Sequence, residues 1–186
     1  AEGVALLVAA EDAAAGTAAL LGSPVRDDVA WPARGRADER TAELVAGDGE
    51  DALVVDGASL PADADLTYTP TGRATLTTGS GELAALVADD ELSAALEDTG
   101  AQGVAGVQRF LAEAATITLE RPYDTRGLLA VAPRGWNPEP SAVAALLAAL
   151  EDTPWVQLQP LSALRATAAP DGAGAQLAGG ASPGTS

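Results

Sequence analysis

Residues 131–158, VAPRGWNPEPSAVAALLAALEDTPWVQL, contain one full unit of the fold: the end of a strand, a loop, a helix and the start of another strand. Asn137 is the expected N-cap, because its side-chain oxygen can accept from a free backbone N–H of the first helical turn. Apolar side chains then recur at helical spacing, at Val143, Leu146, Leu147 and Leu150. Pro154 ends the helix, and the alternation in 155–158 predicts a short strand.

The same alternation of strand and helix recurs along the rest of the chain. Strands are predicted in six short apolar segments, at 3–10, 28–32, 52–56, 82–88, 127–132 and 155–158. Helices are predicted between them, at 13–21, 38–46, 89–98, 104–120 and 138–150. One β-hairpin interrupts the pattern, because 66–69 and 73–78 flank a Pro-Thr-Gly turn at 70–72.

This order of elements predicts an α/β fold with a mainly parallel sheet and right-handed crossovers. A complete eight-unit barrel needs about 250 residues, and this chain has 186. We therefore expect a partial or reduced β/α barrel, or an open α/β sheet, with an inserted β-hairpin. Residues 1–165 form a single β/α domain in this interpretation, and 166–186 form a low-complexity tail or linker. Because the sequence contains no Met, we expect a fragment of a larger protein.

The composition excludes several kinds of chemistry. The chain has no Cys and no His, and all ten of its basic residues are Arg, so disulfides, imidazole proton transfer and lysine Schiff bases are excluded. We predict no metal site and no cofactor. The net charge of −17 argues against nucleic acid and anionic membrane surfaces as partners. No apolar run approaches the roughly 20 residues that span a bilayer, so we predict no membrane insertion by this segment.

Candidate site residues lie where the predicted strands end, because ligand sites of β/α folds occupy the carboxyl ends of the strands. The candidate catalytic residues are the carboxylates Asp12, Asp56 and Asp89. The candidate substrate-binding residues are Trp31, Arg134 and Trp136. Carboxyl pairs about 5–5.5 Å or 6.5–9.5 Å apart hydrolyse glycosidic bonds. Indole faces bury the apolar side of a sugar ring, and a guanidinium binds a carboxylate or phosphate through two hydrogen bonds.

The candidate carboxylates and two of the tryptophans also have a purely structural interpretation. Asp12 and Asp89 stand where helix N-caps are expected, and Asp is a preferred cap. Asp56 precedes a glycine, in a position typical of a turn. Trp31 and Trp155 are expected to anchor the core, because Trp is highly buried on average.

Three other features keep alternatives open. Arg134 either binds a ligand or ties down its loop by bonding backbone carbonyls or a carboxylate. Trp136 lies in a predicted loop, where a binding role and a packing role are equally consistent with the sequence. The three Arg residues in segment 33–40, ARGRADER, form either an anion site near a helix start or ion pairs with Asp38 and Glu39. We favour the ion pairs.

Six segments between 25 and 164 carry a family resemblance: DVAWPARGRADERT, YTPTGRATLTT, ALVADDELSAAL, QRFLAEAATITLERP, LLAVAPRGWNP and PWVQLQPL. They resemble large exported proteins of actinobacteria, a family of unknown function whose members are membrane-anchored and encoded beside the lipid II flippase. The resemblance implies an extracytoplasmic domain similar in fold to the β/α barrels of glycoside hydrolases and polysaccharide deacetylases. It implies no established activity. Metal-dependent deacetylases use a His-rich site, so the absence of His excludes their chemistry.

Two functions are therefore expected, and the sequence leaves open whether the domain is an enzyme. The favoured one is a non-catalytic binding or scaffold module of the cell envelope, membrane-anchored through its parent protein. Its partners would be cell-envelope glycan or envelope-assembly proteins. The alternative is a glycosidase-like enzyme that acts on cell-envelope polysaccharide through paired carboxylates.

Overall fold

The computed structural model describes residues 16–23, 25–26, 28–63, 65–169 and 177. Its strands are β1 (Val29–Ala30), β2 (Ala52–Val55), β3 (Arg73–Thr78) and β4 (Gly81–Val87). Its helices are α1 (Glu39–Asp48), α2 (Asp90–Gln102), α3 (Val104–Glu120), α4 (Pro140–Glu151) and α5 (Leu161–Ala166). A short 3-10 turn at Ala33–Gly35 follows β1, and residues 16–21 are helical. The first predicted strand and Asp12 lie outside the described residues.

The strands form one mixed sheet in the order β1-β2-β4-β3. β1, β2 and β4 run parallel, and β3 pairs with β4 in the antiparallel sense. Leu129 adds a single parallel bridge beside Ala88, just after β4. The mixed α/β class predicted from the alternation is confirmed, and the described sheet is open rather than closed into a barrel.

Both faces of the sheet are covered, because successive side chains along a strand point to opposite sides. On one face, Leu53 and Val55 of β2 pack in a cluster with Val45 of α1. On the other face, Val54 packs in a cluster with Leu164 of α5. A fully buried Leu or Val contributes about 1.5–3 kcal/mol relative to an exposed one. This burial fixes β2 between its two helical neighbours.

Helices α2, α3 and α4 form a separate apolar cluster. Its members include Leu92, Phe110 and Leu150, and Leu150 belongs to the apolar stripe predicted for the helix at 138–150. Segment 128–131 links this cluster to the sheet with strand-like alternation. Leu128 and Ala130 pack in the cluster of α2, α3 and α4. Leu129 and Val131 pack in the cluster that contains Val54 and Leu164. The strand predicted at 127–132 is therefore not formed, because the segment makes a single isolated bridge at Leu129, although its side chains alternate as those of a strand do.

The predicted hairpin between 66–69 and 73–78 is wrong, because β3 pairs with a different segment. β3 pairs with β4 across a turn at Gly79 and Ser80, and 66–69 form no strand. The predicted turn instead ends at Gly72, whose N–H donates to the carbonyl of Gly127 and whose carbonyl accepts from the N–H of Val87. A Cβ on Gly72 would lie 2.7 Å from the carbonyl oxygen of Val87. Glycine is therefore required here for close backbone approach rather than for a hairpin turn.

The other corrections fall near the opening stretch of sequence. Residues 155–158 form no strand, and the exposed fractions of Trp155 and Leu158 are 49% and 51%. The expectation that Trp155 anchors the core is therefore wrong. Helix α4 begins after Glu139 rather than after Asn137, and no side chain caps it. The first helical residue is Pro140, whose fixed φ suits that position without a hydrogen bond.

Candidate functional site

The carboxyl ends of β1, β2 and β4 meet at one edge of the sheet, and backbone hydrogen bonds hold the segments that follow them together. The N–H of Asp56, after β2, donates to the carbonyl of Gly35 at 2.8 Å. The N–H of Asp89, after β4, donates to the carbonyl of Leu129 at 2.8 Å. We call this the carboxyl edge. Trp31, Asp56 and Asp89 all follow strands that end there, as the sequence predicts.

Trp31 and Arg134 form a stacked pair at the carboxyl edge. A guanidinium nitrogen of Arg134 donates to the backbone carbonyl of Trp31, and the guanidinium carbon lies 4.3 Å from the centroid of the indole ring. The exposed fraction of Trp31 is 38%, so the expectation that it anchors the core is wrong. Stacking is favourable because the face of an aromatic ring is negative and the guanidinium is a weakly hydrated cation.

Asp56 folds the turn that follows β2. One carboxylate oxygen accepts from the N–H of Ser59 at 2.8 Å, and the other lies 3.6 Å from the Nε atom of Arg36. The hydroxyl of Ser59 in turn accepts from the N–H of Ala37 at 3.2 Å. These contacts match the structural interpretation of Asp56 as a turn residue. They also give Arg36 a different partner from the predicted Asp38 and Glu39.

Asp89 and Asp90, at the start of α2, also accept hydrogen bonds from backbone N–H groups. Asp89 is the N-cap, and its carboxylate accepts from the N–H of Leu92 at 2.8 Å. The carboxylate of Asp90 accepts from the N–H of Gly57 at 3.2 Å. Ser93 joins α2 to the next segment, since its hydroxyl donates to the carbonyl of Asp89 and accepts from the N–H of Val131. The expected cap at Asp89 is therefore present.

Asp38 caps the neighbouring helix, α1, in the same way. Its carboxylate accepts from the hydroxyl of Thr41 at 2.7 Å and from the backbone N–H of Thr41 at 2.8 Å. The hydrogen bond from the Thr41 hydroxyl is the main cause that holds the pKa of Asp38 below its usual value, and the bond from the backbone N–H adds to it. The negative charge also lies at the positive end of the helix dipole.

Trp136 lies against α2 and away from the carboxyl edge. Its indole N–H lies 3.4 Å from the carbonyl oxygen of Glu97, and a Cβ added to Gly100 would lie 2.9 Å from the indole nitrogen. At 1.5 Å per residue, these positions are about 10–15 Å along the helix from Asp90. The contacts favour the packing interpretation of Trp136, and its binding role stays a prediction.

Two serines that connect the candidate residues, Ser59 and Ser93, were not predicted from the sequence. Ser59 and Ser93 each join two segments of the carboxyl edge, as described above. A local signal existed only for Ser59, three residues after Asp56 and therefore in reach of an Asx turn. The partner of Ser93 is 38 residues away in the sequence, so no local pattern points to it.

No group of three acidic side chains among the described residues is arranged to hold a metal ion. None of the described helices combines the length and the apolar character needed to cross a bilayer.

Comparison with known proteins identifies a family whose function is unknown. No curated protein sequence and no solved structure matches the chain significantly. The match to a family of uncharacterised proteins agrees with the resemblance in one respect, that the function of the family is unknown. It covers residues 5–185, and the chain therefore belongs to the family of unknown function DUF6049.

Proposed function

We propose that this domain is a non-catalytic, extracytoplasmic binding module whose ligand is cell-envelope glycan. The observation that carries the proposal is the stacked pair of Trp31 and Arg134, which presents a partly exposed indole at the edge where β/α folds bind ligands. An indole is well suited to a sugar, because it offers a rigid apolar face and loses little conformational entropy on binding. The parent protein would be exported and membrane-anchored, as the actinobacterial resemblance implies.

The occupied carboxylates support a binding role over hydrolysis. Retaining and inverting glycosidases both need two carboxyls that face the scissile bond, one as an acid and one as a nucleophile or base. Here Asp56, Asp89 and Asp90 each accept a hydrogen bond from a backbone N–H. Each of these bonds has a folding role, in a turn, a helix cap or a loop contact.

The barrel-like interpretation of the fold is part of the same proposal. The parallel strands β1, β2 and β4 present one face to α1. Alternate side chains of segment 128–131 pack in the cluster of α2, α3 and α4 and in the cluster that contains Leu164. This arrangement is consistent with a reduced β/α barrel similar to glycoside hydrolases. The likeness supports the position of the site and carries no activity.

The proposal is tested by measuring retention of the domain on insoluble cell-envelope polysaccharide. Trp31→Ala should weaken binding about 10-fold or more, because truncating a tryptophan at the centre of a contact costs about 2 kcal/mol or more. Trp155→Ala is the matched control, since Trp155 is at least as exposed but lies outside the carboxyl edge. Both variants must keep the wild-type far-UV circular dichroism. Equal retention of the two variants would contradict the proposed site.

A glycosidase-like activity is the second candidate, and one observation favours it. The hydrogen bond from Gly57 to Asp90 brings that carboxylate next to the turn of Asp56, so two acids adjoin at the carboxyl edge. Release of reducing ends from the same polysaccharide, abolished by either Asp56→Asn or Asp90→Asn in a folded protein, would establish this candidate. Retention on envelope-assembly proteins without any glycan binding would instead favour the scaffold form of the module.

A further inference from the structure

We infer that the glycan bound at the carboxyl edge is acidic, and that Arg134 binds its carboxylate or phosphate group while Trp31 holds the adjacent sugar ring. This inference rests on the proposed function and deepens it. It concerns the chemistry of the ligand, which neither the family nor the resemblance provides.

The first observation is that Arg134 is held in place without being neutralised. Its contacts are the carbonyl and the indole face of Trp31, and it makes no ion pair with any residue that the structure describes. The chain contains 27 acidic residues and only ten basic ones, so a fixed, exposed arginine without an acidic partner runs against the composition. An arginine has five N–H donors, and only one of those on Arg134 is used by Trp31.

The second observation is a contrast within the same molecule. Arg121 also stacks on an aromatic ring, with its guanidinium carbon 3.6 Å from the centroid of Tyr68. Its charge is neutralised, because a guanidinium nitrogen lies 3.2 Å from a carboxylate oxygen of Asp124. Stacking an arginine on a ring therefore does not require the charge to be left unpaired. At Arg134 the free donors remain available to a ligand.

The geometry of the pair identifies the ligand class. A guanidinium presents a planar fork that matches a carboxylate or a phosphate. The indole beside it suits the apolar face of a sugar ring. A sugar that carries a carboxylate or a phosphate satisfies both groups at once. The net charge of −17 makes the rest of the protein repel such a ligand, so binding needs a local cation such as Arg134, whose guanidinium is held beside an aromatic face.

The test is a titration of the whole domain with α-1,4-trigalacturonate, its carboxyl-reduced neutral counterpart and a phosphorylated oligosaccharide. We expect at least one acidic probe to bind about 10- to 100-fold more tightly than the neutral one, since hydrogen bonds between charged groups are stronger than those between neutral groups. The difference between trigalacturonate and the phosphorylated probe identifies which anion the site takes.

Three variants connect the preference to the residue. Arg134→Gln should remove the preference for acidic probes, and Arg134→Lys should retain only part of it, because Lys keeps the charge without the planar fork. Arg121→Gln is the matched control and should keep the full preference. Unchanged circular dichroism shows that each variant is folded. Equal affinity for acidic and neutral probes, or an unchanged preference in Arg134→Gln, overturns the inference and leaves the proposed function standing.

Binding of inorganic phosphate alone distinguishes the anion site at Arg134 from the proposed glycan-binding function. In the wild-type protein it should shift the indole N–H resonance of Trp31, and in Arg134→Gln it should not. If phosphate produces this shift while no oligosaccharide binds, the proposed glycan-binding function fails and the anion site stands. If phosphate produces no shift and no probe binds, both proposals are overturned.

Discussion

The guanidinium of Arg165 lies 2.7 Å from a carboxylate oxygen of Asp28, and so ties helix α5 to the residue that precedes β1. The same guanidinium lies 3.0 Å from the carboxylate of Asp51, which precedes β2. Arg26 also binds Asp28. This ionic cluster lies at the amino ends of the strands, opposite the carboxyl edge. It therefore contributes to holding the sheet together without taking part in the proposed site.

The ionic cluster predicts a pH-dependent stability. The hydrogen bond from Arg26, with Arg165 also contributing, lowers the pKa of Asp28 from 3.8 to about 2 in the folded protein. A lowered folded-state pKa stabilises the protein above the unfolded value, and this contribution is lost as the pH falls through the folded value. Asp28→Asn should therefore lower the urea midpoint at neutral pH, and the difference from wild type should shrink as the pH falls from about 4 to about 2.

The control for this prediction is Asp124→Asn, which removes a more exposed ion pair with Arg121. Exposed pairs contribute little, so its midpoint should stay near that of the wild type. A difference between wild type and Asp28→Asn that is the same at both ends of the pH range would contradict the assignment of the lowered pKa.

Asp89 provides a test that separates capping from catalysis. Its carboxylate caps α2, so Asp89→Ala should lower the free energy of unfolding by about 1 kcal/mol. Asp89→Asn should stay close to wild type, because Asn is as good an N-cap as Asp. Chemical denaturation measures both. If Asp89→Asn kept the stability but lost an envelope-polysaccharide hydrolysis present in the wild type, the residue would be catalytic.

The helices could be predicted from the sequence because their signals are local. Asp38 and Asp89 are N-caps in the structure, and the apolar stripe of α3 is buried at Val107, Phe110, Ala114 and Ile117. Caps and stripes depend on residues three or four positions apart, which a reader of the sequence can see. The parallel strands β1, β2 and β4 were predictable from their apolar segments for a similar reason.

The pairing of β3 could not be predicted, because two turn signals compete for it. Pro-Thr-Gly at 70–72 and Gly-Ser-Gly at 79–81 both suit a turn. The structure uses the second, and Gly72 is held by Val87 and Gly127. That choice depends on contacts distant in the sequence. The exposure of Trp31 has the same origin, because β1 has only two residues and its burial depends on neighbouring segments.

Gly106 marks the close crossing of α2 and α3, and it should not tolerate a side chain. A Cβ there would lie 2.6 Å from the Cα atom of Thr99 and from the carbonyl oxygen of Asp98. Gly106→Ala should therefore destabilise the protein by about 1–3 kcal/mol, because the two backbones must separate. Gly47→Ala in α1 is the matched control. Its Cβ would meet only the hydroxyl of Ser80 at 3.9 Å, so helix propensity should make it neutral or stabilising by up to about 1 kcal/mol.

Helix α5 should be an integral part of the domain, although it has only six residues and borders the predicted tail. The exposed fraction of Leu164 is 8%, and its side chain packs with Val54 and Leu86 on the face of the sheet opposite α1. Leu164→Ala should cost about 2–5 kcal/mol, as expected for a core leucine. Leu161→Ala, in the same helix but 38% exposed, should cost less than half as much. Similar urea midpoints for the two variants would mean that α5 does not cover the sheet in solution. A large loss of unfolding free energy in Leu164→Ala, but not in Leu161→Ala, would show that the contact between α5 and the sheet belongs to the core.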